Sequence, residues 1–66
     1  MEVLINGKRR QLADGATVAE AVRLITAETS GVAAAVNDEV VSRAAWDSTC
    51  VAEGDRVEVL TAVQGG

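Results

Sequence analysis

Asn6-Gly7 restricts this chain more than any other dipeptide in it. A two-residue hairpin turn needs φ > 0 at both central positions, and Asn followed by Gly is the pair best suited to that geometry. The flanking residues agree. Glu2 to Asn6 alternates, with Val3 and Ile5 on one face and Glu2, Leu4 and Asn6 on the other, which is the period of a half-buried strand. Lys8 to Ala13 returns as a second strand, with Leu12 turned inward. Its three adjacent cations, Lys8, Arg9 and Arg10, suit an edge, where charge discourages pairing with another chain. Asp14-Gly15 ends the hairpin.

Thr17-Val18-Ala19-Glu20 matches a capping box, in which the hydroxyl takes the amide three residues on and the carboxylate bonds back. Val18, Ala21, Val22 and Ile25 follow as one apolar stripe, with Arg23 and Glu28 on the wet side. The spacing predicts a helix over 18–28, closed by Gly31 in the left-handed conformation. Val32 to Val36 is too short an apolar run for a helix and reads as a buried strand. Asn37-Asp38 turns the chain into a short strand, Glu39 to Ser42, that leads to Trp46. Residues 44–50 read as irregular or as a single helical turn. Val51 to Asp55 is an apolar anchor and a turn, with Asp55 serving the turn. Arg56 to Val63 is the last strand, with Val57, Val59, Thr61 and Val63 on one face and Glu58 and Leu60 on the other.

A hairpin, a crossing helix, two more strands and a closing strand predict an α+β domain: a mixed sheet of four to five strands packed against one helix. That is the β-grasp arrangement. The last strand then lies centrally, beside the first, over a domain of residues 1–63.

Residues 64–66, Gln64-Gly65-Gly66, form the tail. Two glycines have no side chain to pack and lose much backbone entropy on ordering, so a mobile tail is expected in the free protein. Without Cβ atoms the main chain can enter a narrow channel in another protein. Four extended residues reach about 14 Å, enough to carry the terminal carboxylate clear of the body. A reactive tail is one reading, and a frayed chain end is the other.

Composition narrows the remaining choices. Sixty-six residues make one small domain, burying only about 60% of its unfolded surface. Its apolar residues are mostly Ala and Val, and Trp46 is the sole aromatic, poor material for an aromatic-lined ligand pocket. Trp46 reads as filler for the end of the core. A net charge of −4 argues against nucleic acid and anionic membranes, whose phosphates need Lys and Arg, and fits docking on a basic protein face. With no histidine, His-based acid–base chemistry and His metal ligation are excluded. One cysteine cannot build a thiolate zinc site, and no glycine-rich phosphate loop has the required spacing. The lone Cys50, with no paired base in sequence, reads as incidental and suits a reducing compartment. The longest uncharged apolar run, Gly31 to Val36, is too short for a bilayer, and the N-terminus does not read as a signal peptide. The expected compartment is the cytoplasm. Asp38-Glu39 reads as a solvated turn.

Several pieces occur in one order: Asn6-Gly7 after the first strand, Thr17-Val18 opening the helix, and Ala35-Val36-Asn37 with Val40-Val41 and Arg43. Trp46, Gly54-Asp55-Arg56-Val57-Glu58-Val59 and the final Gly65-Gly66 follow. Over nearly its whole length the chain resembles the ThiS family, the sulfur carriers of thiamine biosynthesis, in the ubiquitin-like β-grasp superfamily. Gln64 departs from the third glycine that many members have. The resemblance implies a carrier and not a catalyst. A ThiF-type adenylating enzyme would use ATP and magnesium to form an acyl-adenylate on Gly66. Sulfur from a donor such as a cysteine desulfurase would convert it to a thiocarboxylate. Thiazole synthase, ThiG, would then take the sulfur. The chain itself would bind no cofactor or metal and would be a monomer when free. The small subunit of molybdopterin synthase is similar in fold and tail, but such proteins tend to be longer, with Phe and Pro before the last glycines, and this chain has neither residue. A carrier feeding another sulfur acceptor, a modifier joined to lysines and a passive β-grasp interaction module stay open.

A docking face is also expected. If the first and last strands are neighbours, Leu4 and Leu60 share the side of the sheet away from the helix. There they would form a small apolar patch, with Glu2 and Glu58 as a charged rim.

Overall fold

In a computed structural model, described for residues 1–28 and 30–61, the chain forms β1 (Glu2–Ile5), β2 (Lys8–Gln11), α1 (Val18–Arg23), β3 (Val32–Val36), β4 (Glu39–Val41), a 3₁₀ turn (Arg43–Ala45) and β5 (Arg56–Thr61). The sheet order is β2-β1-β5-β3-β4. β1 runs parallel to β5, and every other pairing is antiparallel. The last strand is central, as expected, and the cationic β2 is an edge.

Both hairpins turn on two residues in the left-handed region. Asn6 and Gly7 have φ of 52° and 81°, and Asn37 and Asp38 have φ of 50° and 72°. The second turn manages without glycine, because Asn and Asp are the side chains that best tolerate this conformation. These turns set the registers Ile5↔Lys8 and Val36↔Glu39.

One face of the sheet carries the core. Val3, Ile5, Ala34, Val57 and Val59 point to the helix, which contributes Val18, Ala19, Ala21 and Val22; Ala16, Trp46 and Val51 complete the cluster. Full burial of a side chain the size of Val3, Ile5, Val18 or Val57 contributes about 1.5–3 kcal/mol. The alanines bring little volume, and Trp46, only 5% exposed, supplies bulk at one end. Its indole N–H donates to the Val41 carbonyl at 2.9 Å, its own carbonyl accepts the Ala19 amide at 3.2 Å, and the Arg43 guanidinium lies 5.0 Å from its ring centroid. Trp46 therefore joins β4 to the helix.

The helix is shorter than its apolar stripe predicts, Val18–Arg23 in place of 18–28. The Thr17 hydroxyl accepts the Glu20 amide at 3.3 Å, but among the described residues the carboxylate of Glu20 makes no return bond. Beyond Arg23 the bonding becomes mixed: Leu24 N–H donates to Ala21 and Ile25 N–H to Val22, each three residues back, while Thr26 N–H shares the Val22 carbonyl at 3.0 Å. The Thr26 hydroxyl then takes the Glu28 amide at 3.1 Å. A hydroxyl that captures a nearby amide competes with helix propagation, and branching at Ile25 and Thr26 weakens it further. Ile25 still packs against the core. Gly31 has φ of 70°, yet it lies well past the helix end and turns the chain into β3.

Smaller departures follow from the single helix layer. β3 is half-buried and not fully buried: Ala34 is enclosed, while Ala33 faces solvent. Thr61 is exposed, beside an open depression lined by Ile25, Thr26, Glu28, Ser30, Gly31 and Val32. β1, β2 and β4 stop one or two residues before their expected ends, the ordinary uncertainty of a boundary. Leu12 lies just past β2, still bonded to the Met1 carbonyl at 2.9 Å and packed against the core.

Candidate functional site

Gln64, Gly65 and Gly66 lie outside the described residues, as do Ala62, Val63 and hence the expected boundary between body and tail. The strand that leads to them is described. β5 is paired on both flanks, with Leu4↔Arg56 and Ile5↔Val57 on the β1 side and a continuous ladder from Val36↔Val57 to Val32↔Thr61 on the β3 side. The hydrophobic pattern Val57, Val59 fixes which way β5 faces, because a slip of one residue would turn both valines to solvent.

Side chains alternate along a strand, so Arg56, Glu58 and Leu60 share the face away from the helix. Register places Leu4 on that face beside Arg56, and Ala33 beside Leu60. The two leucines do share a side, as expected, but they are not neighbours. Leu4 is level with Arg56, four residues before Leu60, which corresponds to about 13 Å along the strand. Leu4 is half-buried, whereas Leu60 is 70% exposed. The apolar ground next to Leu60 comes from β3 and β4. Ala35 pairs with both Glu58 and Val40, and Val40 is 81% exposed. Leu60, Ala33, Ala35 and Val40 therefore form the patch, with Glu58 beside it. Val40 and Ala33 were not foreseen. The signal lay in the Asn37-Asp38 turn, which sets Val40 opposite Ala35.

The charged residues near this face are engaged in turns. Arg56 pairs with Asp38 at 3.1 Å, so Asp38 is an ion-pair partner as well as a solvated turn residue; exposed pairs of this kind contribute little. Asp55 serves its turn: Oδ2 accepts the Ala52 amide at 2.7 Å and Oδ1 accepts from Asn37 Nδ2 at 3.0 Å. Glu53 accepts the Glu2 amide at 2.9 Å. Cys50 is exposed, with its thiol 3.7 Å from the Gly15 carbonyl. Beside Trp46 an open depression of about 290 Å³ is bordered by Arg23, Glu28, Arg43 and Asp47. Among the described residues no three of His, Cys, Asp or Glu gather as a metal site, and no helix is long and apolar enough to cross a membrane. The geometry is that of a platform: a central strand running out beside an exposed apolar patch.

Two hairpins joined by a parallel pairing of first and last strands, with one helix across one face, define the ubiquitin-like β-grasp class. The resemblance reaches further. The model of the ThiS family matches residues 3–66. The sulfur carrier protein ThiS of Escherichia coli K12 is 32% identical over 66 residues, covering the whole of both chains. The crystal structure of the thiamine biosynthesis protein ThiS from Geobacter metallireducens superposes with a TM-score of 0.81 at 36% identity, again over the whole of both chains. A solution structure of a thiamine biosynthesis protein from the same organism gives 0.79 over all of this chain and 88% of that one. The chain belongs to the ThiS family.

Proposed function

We propose that this protein is the sulfur carrier for thiazole formation in thiamine biosynthesis, with Gly66 as the residue that carries the sulfur. The observation that supports this most directly is the family match over residues 3–66, which takes in both terminal glycines. The E. coli relative that aligns along its full length is itself named a sulfur carrier.

The chemistry follows from the end group. A carboxylate is an anion at neutral pH and a poor electrophile, so it must first be activated. A carboxylate oxygen of Gly66 attacks the α-phosphorus of ATP on a ThiF-type enzyme, magnesium balances the phosphate charge, and pyrophosphate leaves. The terminal sulfur of a persulfide, formed from cysteine as by a cysteine desulfurase, then attacks the acyl carbon and AMP leaves. A thiol of the partner cleaves the S–S bond of the resulting acyl disulfide, is itself oxidised to a disulfide, and releases the sulfur on Gly66. The resulting thiocarboxylate gives its sulfur to a ThiG-type thiazole synthase. ATP and metal belong to the partner. The chain acts as co-substrate, and Gly65 and Gln64 extend Gly66 into the partner's channel. The patch around Leu60 is the docking surface, and Leu4 lies at its far margin. The exposed free Cys50 suits a reducing cytoplasm.

Intact-mass measurement tests this reading. After incubation with the adenylating enzyme, ATP, magnesium and a sulfur donor, the chain is expected to gain the mass difference between one sulfur and one oxygen. A mass that stays unchanged, or stable attachment to lysines, would overturn it.

A further inference from the structure

We propose that Asn6 is a positioning residue for the C-terminal tail: its carboxamide fixes β5 at Val59, seven residues ahead of Gly66. This inference rests on the carrier reading and extends it to a residue outside the tail and the docking patch.

The parallel pairing of β1 and β5 advances by regular rungs. Leu4 N–H donates to the Asp55 carbonyl and Asn6 N–H to the Val57 carbonyl, both at 2.9 Å. The next rung would need the main-chain carbonyl of residue 6 to accept from Val59. The chain turns away at that point, where Asn6 takes φ of 52°. The side chain supplies the rung instead. Asn6 Oδ1 accepts the Val59 amide at 2.8 Å, and Asn6 Nδ2 donates to the Val59 carbonyl at 3.2 Å. One carboxamide thus stands in for a peptide unit and satisfies both polar groups of Val59.

The two flanks of β5 are consequently held in different ways. On the β3 side the ladder continues through Ala33↔Leu60 and Val32↔Thr61. On the β1 side, among the described residues, the bonds from Asn6 are the final ones. Without them the strand beyond Val57 hangs from one flank and is free to swing about it. The direction in which β5 leaves the sheet at Thr61 then varies, and with it the place from which the tail sets out toward a partner's reacting group. Asn is suited to this place twice over, since it tolerates the left-handed turn and its amide has a donor and an acceptor.

Asn6→Gly keeps the turn conformation and removes both bonds. Asn6→Asp keeps the acceptor for Val59 N–H and loses the donor. Both full chains should be compared with wild type by amide hydrogen exchange and by carrier-dependent adenylation kinetics, well below their unfolding temperatures. In Asn6→Gly, exchange at Val59 should quicken by about tenfold or more while Val3 stays protected. The kcat with saturating carrier should fall by about tenfold, with KM changed by less than about twofold, because misplacement of a reacting group affects the chemical step. Asn6→Asp should lie between, and it decides the matter if Asn6→Gly does not fold. A purely structural Asn6 would lower the thermal midpoint and leave kcat of the folded protein intact. That outcome, or unchanged exchange at Val59, overturns the proposal. A wild-type chain that is not adenylated overturns the carrier reading itself, whereas equal adenylation of wild type and variants removes only the role of Asn6.

Discussion

Asn37 and Asp55 hold each other across the sheet end, Nδ2 to Oδ1 at 3.0 Å, while Asn37 Oδ1 accepts the Arg56 amide at 3.0 Å. The second carboxylate oxygen of Asp55 takes the Ala52 amide. The turn before β5 and the turn after β3 are thereby one unit. Asp55→Ala is expected to destabilise the fold by about 1.5–3 kcal/mol, the range for hydrogen bonds to a charged group. Urea unfolding followed by circular dichroism would measure it, with the denaturant slope unchanged.

Thr17 and Glu20 should separate cleanly. Thr17 caps the six-residue helix, so Thr17→Ala is expected to lose about 1 kcal/mol. Among the described residues the carboxylate of Glu20 makes no capping bond, and Glu20→Ala, which removes any return bond, should stay within about 0.5 kcal/mol of wild type. Equal losses from the two variants would show that the full capping box operates in solution.

At Trp46 a graded pair of substitutions is informative. Trp46→Ala empties one end of the core and should destabilise by about 3–5 kcal/mol. Trp46→Phe keeps a ring but leaves the Val41 carbonyl without its donor, and a loss of about 1–3 kcal/mol is expected. Thermal unfolding by far-ultraviolet circular dichroism reads both, since no other aromatic residue is present to report by fluorescence.

For the docking surface, Leu60→Arg should weaken binding to the adenylating enzyme or to thiazole synthase by about 1–3 kcal/mol. Val40→Arg should act in the same direction. Leu4→Arg should act less, because Leu4 sits beside Arg56 at the far margin of the patch, about 13 Å from Leu60 along the strand. Folding should survive at Leu60 and Val40, where the side chains are solvated. Titration calorimetry decides it; unchanged affinity for both partners would remove the patch from the mechanism.

Removal of Gly66, or addition of one residue after it, should abolish adenylation while leaving the unfolding transition in place. ATP–pyrophosphate exchange with the activating enzyme is the assay. Undiminished exchange by the shortened chain would mean that the acyl group is not the one on Gly66.

Local features of the fold were legible where a residue type has a steric reason to be where it is. Asn6-Gly7 and Asn37-Asp38 mark both turns, and Thr17 marks the helix start. The alternation of Val57 and Val59 gives the facing of β5. The helix end was not legible, since the apolar stripe runs on through Ile25 after the backbone has left the helix. The patch was misjudged for another reason. A turn fixes register between consecutive strands, but no turn joins β1 to β5, so nothing local says that Leu4 sits beside Arg56. The role of Asn6 at Val59 was hidden for the same reason, as a contact between residues 53 apart.

The central place of β5 has a bearing on how the protein comes into being. The hairpins β1–β2 and β3–β4 close over short loops, and each can form as soon as it is synthesised. Neither has a second neighbour until β5 arrives, and β5 is the last strand of the sheet. Pairings distant in sequence form late, because a long loop must be closed first. A chain interrupted before Arg56 therefore presents two unmated sheet edges and a half-covered helix, the kind of surface that aggregates or is degraded. The sheet closes only once β5 has been made, so the folded body belongs only to a chain that already carries its strand toward the glycines.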